Sequence, residues 1–186
     1  MYFTYVIRIL YIKHTHITPS SLRGICLSGC NTKSNKGDNV PVIREIREAD
    51  CTQEFKTGLR YFDYTSDGTP FGLDTYLKMS QSKEETYCCY VALEQDEIIG
   101  VLCFRQVKEV LYLRRIGIKE GYQTIGNGYH LHKFLMDFVE KEKIKVIFAE
   151  AHFGVFRWFE DLGYQKIREY DDANWGKSAY MLLLIG

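Results

Sequence analysis

Apolar and charged residues alternate from Val42. Val42, Ile43 and Ile46 fall against Arg44, Glu45 and Arg47, which predicts a half-buried strand over residues 42–47. Asp50 or Thr52 is placed to cap a following helix that runs to about residue 64. Ser66, Asp67, Gly68 and Pro70 are turn residues, and a shorter helix is predicted over 73–80. Residues 86–93 (TYCCYVAL) and 98–105 (IIGVLCFR) are rich in strand formers and flank the polar turn Gln95-Asp96-Glu97, the pattern of an antiparallel hairpin. Residues 110–118 (VLYLRRIGI) form another strand, whose alternation puts Leu111, Leu113 and Arg115 on one face. A loop over 119–128 with three glycines follows. The period then changes: Leu131, Phe134, Leu135, Phe138 and Val139 make one apolar stripe at helical spacing. Lys141, Lys143 and Lys145 suit the negative end of that helix. Residues 146–149 (VIFA) predict a short buried parallel strand. A second helix over 153–162 is stopped by Gly163. Strands over 164–170 and 178–185, joined by a polar loop over 171–177, close the chain.

The resulting order is β-α-α-β-β-β-α-β-α-β-β. The β-α-β step demands two parallel strands, and the flanking hairpins are antiparallel. The fold class is therefore α/β (α+β): a mixed, mostly antiparallel sheet of six to seven strands with helices on both faces.

Composition narrows the classes. The chain has 186 residues, 46% hydrophobic and 26% charged, the make-up of one globular domain with some residues to spare. With 24 basic and 24 acidic residues there is no global field for nucleic acid or an anionic membrane, and neither is expected as a partner. No apolar run reaches the roughly 18–20 residues of a transmembrane helix. Residues 1–40 differ from the rest: they hold Arg8, Lys13, Arg23, Lys33 and Lys36 against Asp38 alone. They read as a disordered leader or targeting extension, with residues 41–186 as the domain. Leu27-Ser28-Gly29-Cys30 resembles a lipoprotein cleavage site without an apolar signal core, so targeting or lipidation stays open beside a cytoplasmic location. Cys26 and Cys30 have no second pair at metal-ligand spacing, and no metal is expected. Cys88 and Cys89 should point to opposite faces as buried thiols, which fits a reducing compartment.

One segment carries chemistry. Gln123-Thr124-Ile125-Gly126-Asn127-Gly128 stands between a strand and an amphipathic helix. Glycines there let the backbone approach a ligand, and free N–H groups of the first helical turn favour an anion. A plain strand-to-helix turn is the bland alternative. A P-loop fails because Asn127 stands where Lys is needed, and a dinucleotide fingerprint fails because Leu131 stands where the third Gly is needed. The segment resembles the signature of the GCN5-related N-acetyltransferases: Gln or Arg, two residues, Gly, one residue, then Gly or Ala. A second stretch, FRWFEDLGY over residues 156–164, resembles that family's aromatic helix ending in Leu-Gly-Phe or Leu-Gly-Tyr. The resemblance runs over residues 42–185.

The resemblance implies an acetyl-CoA-dependent N-acetyltransferase that needs no metal and acts on a primary amine of a small molecule or peptide. It implies parallel fourth and fifth strands that splay apart, with acetyl-CoA in the V between them. The pyrophosphate would rest on Gln123, Thr124, Ile125, Gly126, Asn127 and Gly128. The pantetheine arm would follow the backbone of Ile116, Gly117 and Ile118 as an added strand. Phe159 stands at a cofactor-side position where many members have a Tyr that protonates the leaving thiolate; Phe has no proton to give. His152 stands where Asn is common and could bind CoA or relay a proton, and Tyr129 is another candidate acid. Glu109, Tyr112 and Glu150 are candidate bases at strand ends. Tyr61, Phe62, Asp63, Tyr64 and Trp175 could shape the acceptor site. Because of Phe159, a catalytically inactive acyl-CoA-binding module is the alternative, and a surface protein anchored through Cys30 a further one. A homodimer is left open.

A chain beginning at Asn39 is expected to fold with an unchanged melting temperature. A large loss of cooperativity in thermal unfolding would mean that the leader packs on the domain.

Overall fold

The computed structural model describes residues 40–47, 50, 52, 57–59, 62, 86–123, 126–173 and 176–186. The leader over 1–39, most of the first predicted helix, the turn and helix over 65–80, Cys26, Cys30, Cys51, Tyr61, Asp63, Tyr64, Thr124, Ile125 and Trp175 lie outside them.

The elements, numbered among the described residues, are β1 (Val42–Glu45), β2 (Thr86–Glu94), β3 (Glu97–Val107), β4 (Val110–Ile118), α1 (Asn127–Lys141), β5 (Val146–His152), a 3-10 turn (Phe153–Val155), α2 (Phe156–Asp161), β6 (Gln165–Asp172) and β7 (Gly176–Leu184). They make one seven-stranded sheet in the order β1-β2-β3-β4-β5-β7-β6. Only β4 and β5 pair in parallel; every other neighbouring pair is antiparallel. The mixed sheet expected from the sequence is present. The closing strands run longer than predicted, and the loop between them shrinks accordingly. The helix predicted from residue 153 starts as a 3-10 turn and becomes α-helical at Phe156.

The two faces carry separate cores. Leu131, Leu135 and Val139 of α1 and Phe156 and Phe159 of α2 pack on Leu102, Phe104, Leu111, Leu113, Ile147 and Met181. On the other face, Leu59 and Phe62 pack with Ile46, Cys89, Val91, Ile98, Val101 and Cys103. Cys88 joins the first core and Cys89 the second, as the period of a strand requires. Burial pushes the Cys88 thiol up to about 11.

The alternation predicted for β4 fails at one residue. Phe104 stands opposite Leu113 and Cys103 opposite Arg115, so Arg114 is an extra residue without a partner on β3. This β-bulge resets the faces. Leu111, Leu113, Ile116 and Ile118 all enter the helix-side core, and Arg115 turns to the other face. There the buried guanidinium donates to the Phe62 carbonyl, tying the bulge to the segment that covers this face. A run of apolar residues with two arginines in it does not reveal which residue is the extra one.

The start of the helix that Asp50 or Thr52 is placed to cap lies outside the described residues, but the Asp50 carboxylate has partners upstream. Its carboxylate accepts two bonds from Arg44, at 2.7 and 2.8 Å, and one from the Arg47 N–H at 2.7 Å. The Arg44 guanidinium holds the Asp50 carboxyl below its ordinary range.

His132, on the inner side of α1, is buried with Nε2 3.2 Å from the Tyr164 hydroxyl and Trp158 edge-on to its ring. Burial lowers its pKa to about 4, against about 6.5 when unfolded. The unfolded chain therefore takes up a proton first as pH falls, so His132 erodes stability between those values. The loss is expected to reach about 2–3 kcal/mol near pH 4. His132→Phe should flatten that part of the stability–pH curve in chemical denaturation, and an unchanged curve would refute the assignment.

Candidate active site

The sheet opens at its centre. β4 and β5 pair from Val110↔Val146 to Leu113↔Ala149 and no further. Beyond that point β4 stays on β3 as far as Ile118↔Gly100, and β5 stays on β7 as far as His152↔Ser178. The parting begins at the bulged Arg114, where a bulge bends a strand and raises its twist. Lys119 N donates to Ile99 O at 2.8 Å. Alternation along β4 therefore turns the main-chain groups of Gly117 toward β3 and those of Ile116 and Ile118 toward the gap. The Gln123 side-chain amide donates to Ile118 O at 3.0 Å. Gly100 lets the strands sit this close: a Cβ there would come within 2.8 Å of Ile118 and 3.0 Å of the Gly117 carbonyl.

At the open end of β4 the chain turns into α1. Gly126 is the N-cap residue with φ 117° and ψ −35°, and no side chain caps the helix. A Cβ at Gly126 would meet nothing nearer than 3.7 Å, so the backbone dihedral, not space, calls for glycine. The first turn contains no acidic residue. Its N–H groups and the helix dipole make an anion-favouring terminus. Four side chains steady the loop. Asn127 donates to Tyr122 O at 2.8 Å, the Tyr122 hydroxyl donates to Glu97 at 2.5 Å, and Lys119 pairs with the same carboxylate. Those two partners hold the Glu97 carboxyl below its ordinary range. A groove of about 540 Å³ runs along α1 beside Gly126, lined by Tyr129, His130, His132, Lys133 and Met136.

The residues singled out for proton transfer are not gathered together. Glu109 lies in the turn before β4, exposed and 2.8 Å from Lys145. It is nine residues from Ile118, about 30 Å along an extended strand. Tyr112 lies in the paired part of β4, its ring stacked on Phe148 at 6.1 Å and under the Arg105 guanidinium at 5.6 Å. Glu150 and His152, 4% and 8% exposed, lie on the part of β5 that β4 has left. Both point away from the α1 face. Counting from the Leu113↔Ala149 pair and passing over the bulged Arg114 sets His152 about level with Gly117. Phe159 is 0% exposed, wedged between the rings of Trp158 at 5.1 Å and Tyr164 at 4.9 Å. Tyr129 is exposed on the first turn of α1, edge-on to Trp158. Of the acceptor-site candidates, Phe62 is buried in the second core.

Three groups were not singled out in the sequence: Glu97, Tyr122 and Ser178. The β2–β3 turn brings Glu97 to the loop, where the loop's own Tyr122 meets it. Ser178 meets His152 only through the β5–β7 register. Among the described residues, no three His, Cys, Asp or Glu gather as metal ligands.

This arrangement has known counterparts. A model of the Acetyltransferase (GNAT) family matches residues 44–164, and the chain belongs to that family. Comparison with curated protein sequences gave no match. Among solved structures, the ribosomal-protein-S18-alanine N-acetyltransferase from Escherichia coli superposes with a TM-score of 0.61 at 16% identity, over 78% of this chain and 94% of its own. A GNAT family acetyltransferase from Elizabethkingia anophelis with acetyl-CoA bound gives 0.58 at 14% identity, over 79% and 99%. An aminoglycoside 6'-N-acetyltransferase complexed with coenzyme A gives 0.58 at 14%, over 77% and 96%. At such identities the likeness is one of fold.

Gly126→Asp would force a side chain onto a φ of 117° and set a carboxylate at the helix N-terminus. CoA affinity, measured by calorimetric titration, is expected to fall about 10-fold or more, the equivalent of at least ~1.4 kcal/mol. The fold should survive with a lowered melting temperature, because the strain falls in a surface connection rather than in the core. A folded variant that binds CoA like the wild type would move the anion site elsewhere.

Proposed function

We propose that the protein transfers the acetyl group of acetyl-CoA to a primary amine of a small molecule or peptide by direct attack of the amine. The observation that carries this reading is the parting of β4 and β5 after Leu113 and Ala149, with an uncapped helix N-terminus at Gly126 on the open end of β4. The residues fit the co-substrate. Gly126, Asn127 and Gly128 offer main-chain N–H groups for a pyrophosphate. Ile116 and Ile118 offer a strand edge to the pantetheine arm. Acetyl-CoA supplies an activated thioester, and an N–H on that edge polarises its carbonyl.

The acceptor's chemistry is read from the other face, where Glu150 and His152 flank the gap. Relatives of the fold named for a ribosomal protein and for an aminoglycoside support an amine acceptor without choosing between peptide and small molecule. Free thiols at Cys88, Cys89 and Cys103 support a reducing, cytoplasmic setting. No helix among the described residues is long and apolar enough to cross a membrane.

The test is release of free CoA thiol from acetyl-CoA across a panel of amines, amino acids and peptides. Turnover with at least one amine is expected, and tight CoA binding with no release for any of them would overturn the reading. Phe159→Tyr is a second check. A hydroxyl there would enter a packed core, so the variant is expected to lose about 1–3 kcal/mol of stability without a rise in turnover. A marked gain in kcat would mean that the position reaches the leaving group.

A further inference from the structure

Ser178 of β7 stands directly opposite His152 of β5, at the last pair of that ladder. It is fully buried, and its Oγ lies 3.0 Å from His152 Nδ1. The pair sits where β5 has lost β4 as a neighbour, on the sheet face away from α1 and about level with Gly117. It therefore borders the gap from the side opposite the helix that carries the anion site.

We propose that Ser178 is a positioning residue that accepts a hydrogen bond from His152 Nδ1–H and so leaves the Nε2 lone pair of His152 to act as the general base toward the acceptor amine. The proposal rests on the acetyltransferase reading of the site. Which imidazole nitrogen carries the proton is set by the bond the other one makes. With Nδ1–H held on the serine oxygen, Nε2 is the acceptor; in the other tautomer Nε2 already carries a proton and can take none. The ring is also fixed in orientation, since the serine stands on a strand paired on both sides, with His152 and with Tyr170.

The step balances. A protonated amine gives one proton to Nε2, and the freed nitrogen lone pair forms a bond to the thioester carbonyl carbon. The carbon–sulfur bond breaks with its electron pair on sulfur. The nitrogen's surplus proton passes to that sulfur, and His152 releases its own to water. The charged and titratable groups on the same face include Tyr112 and Arg115 on β4, Arg105 and Cys103 on β3, Tyr87 and Cys89 on β2, Glu150 on β5, Tyr180 on β7, and Arg168, Tyr170 and Asp172 on β6, with Arg114 at the bulge. Glu150 is the rival base, two residues from His152 on the same strand.

The experiment is steady-state CoA release as a function of pH for the full chain and for Ser178→Ala, Ser178→Thr and His152→Gln, with thermal unfolding run in parallel. Ser178→Ala should lower kcat about 10-fold, leave KM for acetyl-CoA unchanged, and move the acidic limb of the pH profile to lower pH. Ser178→Thr, which keeps the hydroxyl, should restore both. His152→Gln should abolish the limb. A folded Ser178→Ala with wild-type kcat and profile overturns the proposal, as does a His152→Gln variant that keeps the limb, which would make Glu150 the base. If Ser178→Ala fails to fold, the Thr and Gln variants decide by the same criteria. Wild-type protein that releases no CoA with any amine overturns the acetyltransferase reading and this proposal together. Turnover with an unmoved profile overturns this proposal alone.

Discussion

The bulge at Arg114 and the parting of β4 from β5 that begins there govern the rest of the molecule. A sheet interior is ordinarily sealed by hydrogen bonds on both sides of every strand. Here two neighbouring central strands hold each other over four residue pairs and then separate, while each keeps its outer partner. The outer ladders make the opening tolerable, since β3 and β7 hold the separated ends in place. What remains is a strand edge inside the protein, with main-chain groups of Ile116 and Ile118 facing a gap. An edge of that kind pairs readily with any extended ligand.

The two faces of the sheet divide the work around that gap. The face with α1 and α2 is packed with aromatic and aliphatic side chains, and the buried His132 and Tyr164 sit within ring contacts there. That packing fixes where α1 begins, and hence where its N-terminus lies relative to the end of β4. The other face carries Arg115, Glu150, His152 and Ser178, all buried and all polar. Burying polar groups is costly unless they are bonded, so their concentration beside one opening marks a built site rather than a core. The helix N-terminus falls on one side of the gap and the buried polar side chains on the other.

The loop between β4 and α1 shows how a mobile-looking sequence is held. Glycines at 121 and 126 take positive φ, which costs conformational entropy on ordering. Asn127, Tyr122, Lys119 and Glu97 offset this with a chain of side-chain bonds reaching back to the β2–β3 turn. The start of α1 is thereby tied to the sheet.

The sequence by itself determined the order of the elements from residue 86 onward, because each is written in a local period: two for the strands over 86–118, close to 3.6 for α1. It also determined the anion-favouring loop, since the requirement for glycine at 126 is local and shows as a residue type. It carried the family resemblance for the same reason. What only the tertiary structure decided are relations between residues far apart in the chain. The bulge at Arg114 depends on the register of β3 against β4, and two adjacent arginines look alike to a period of two. The distance of Glu109 from the gap and the nearness of Glu150 follow from which end of each parallel strand faces the loop. Ser178 meets His152 across 26 residues of chain through an antiparallel register that no local pattern encodes. Local steric preferences can be read one residue at a time; the meeting of two side chains is fixed only when the strands between them have paired.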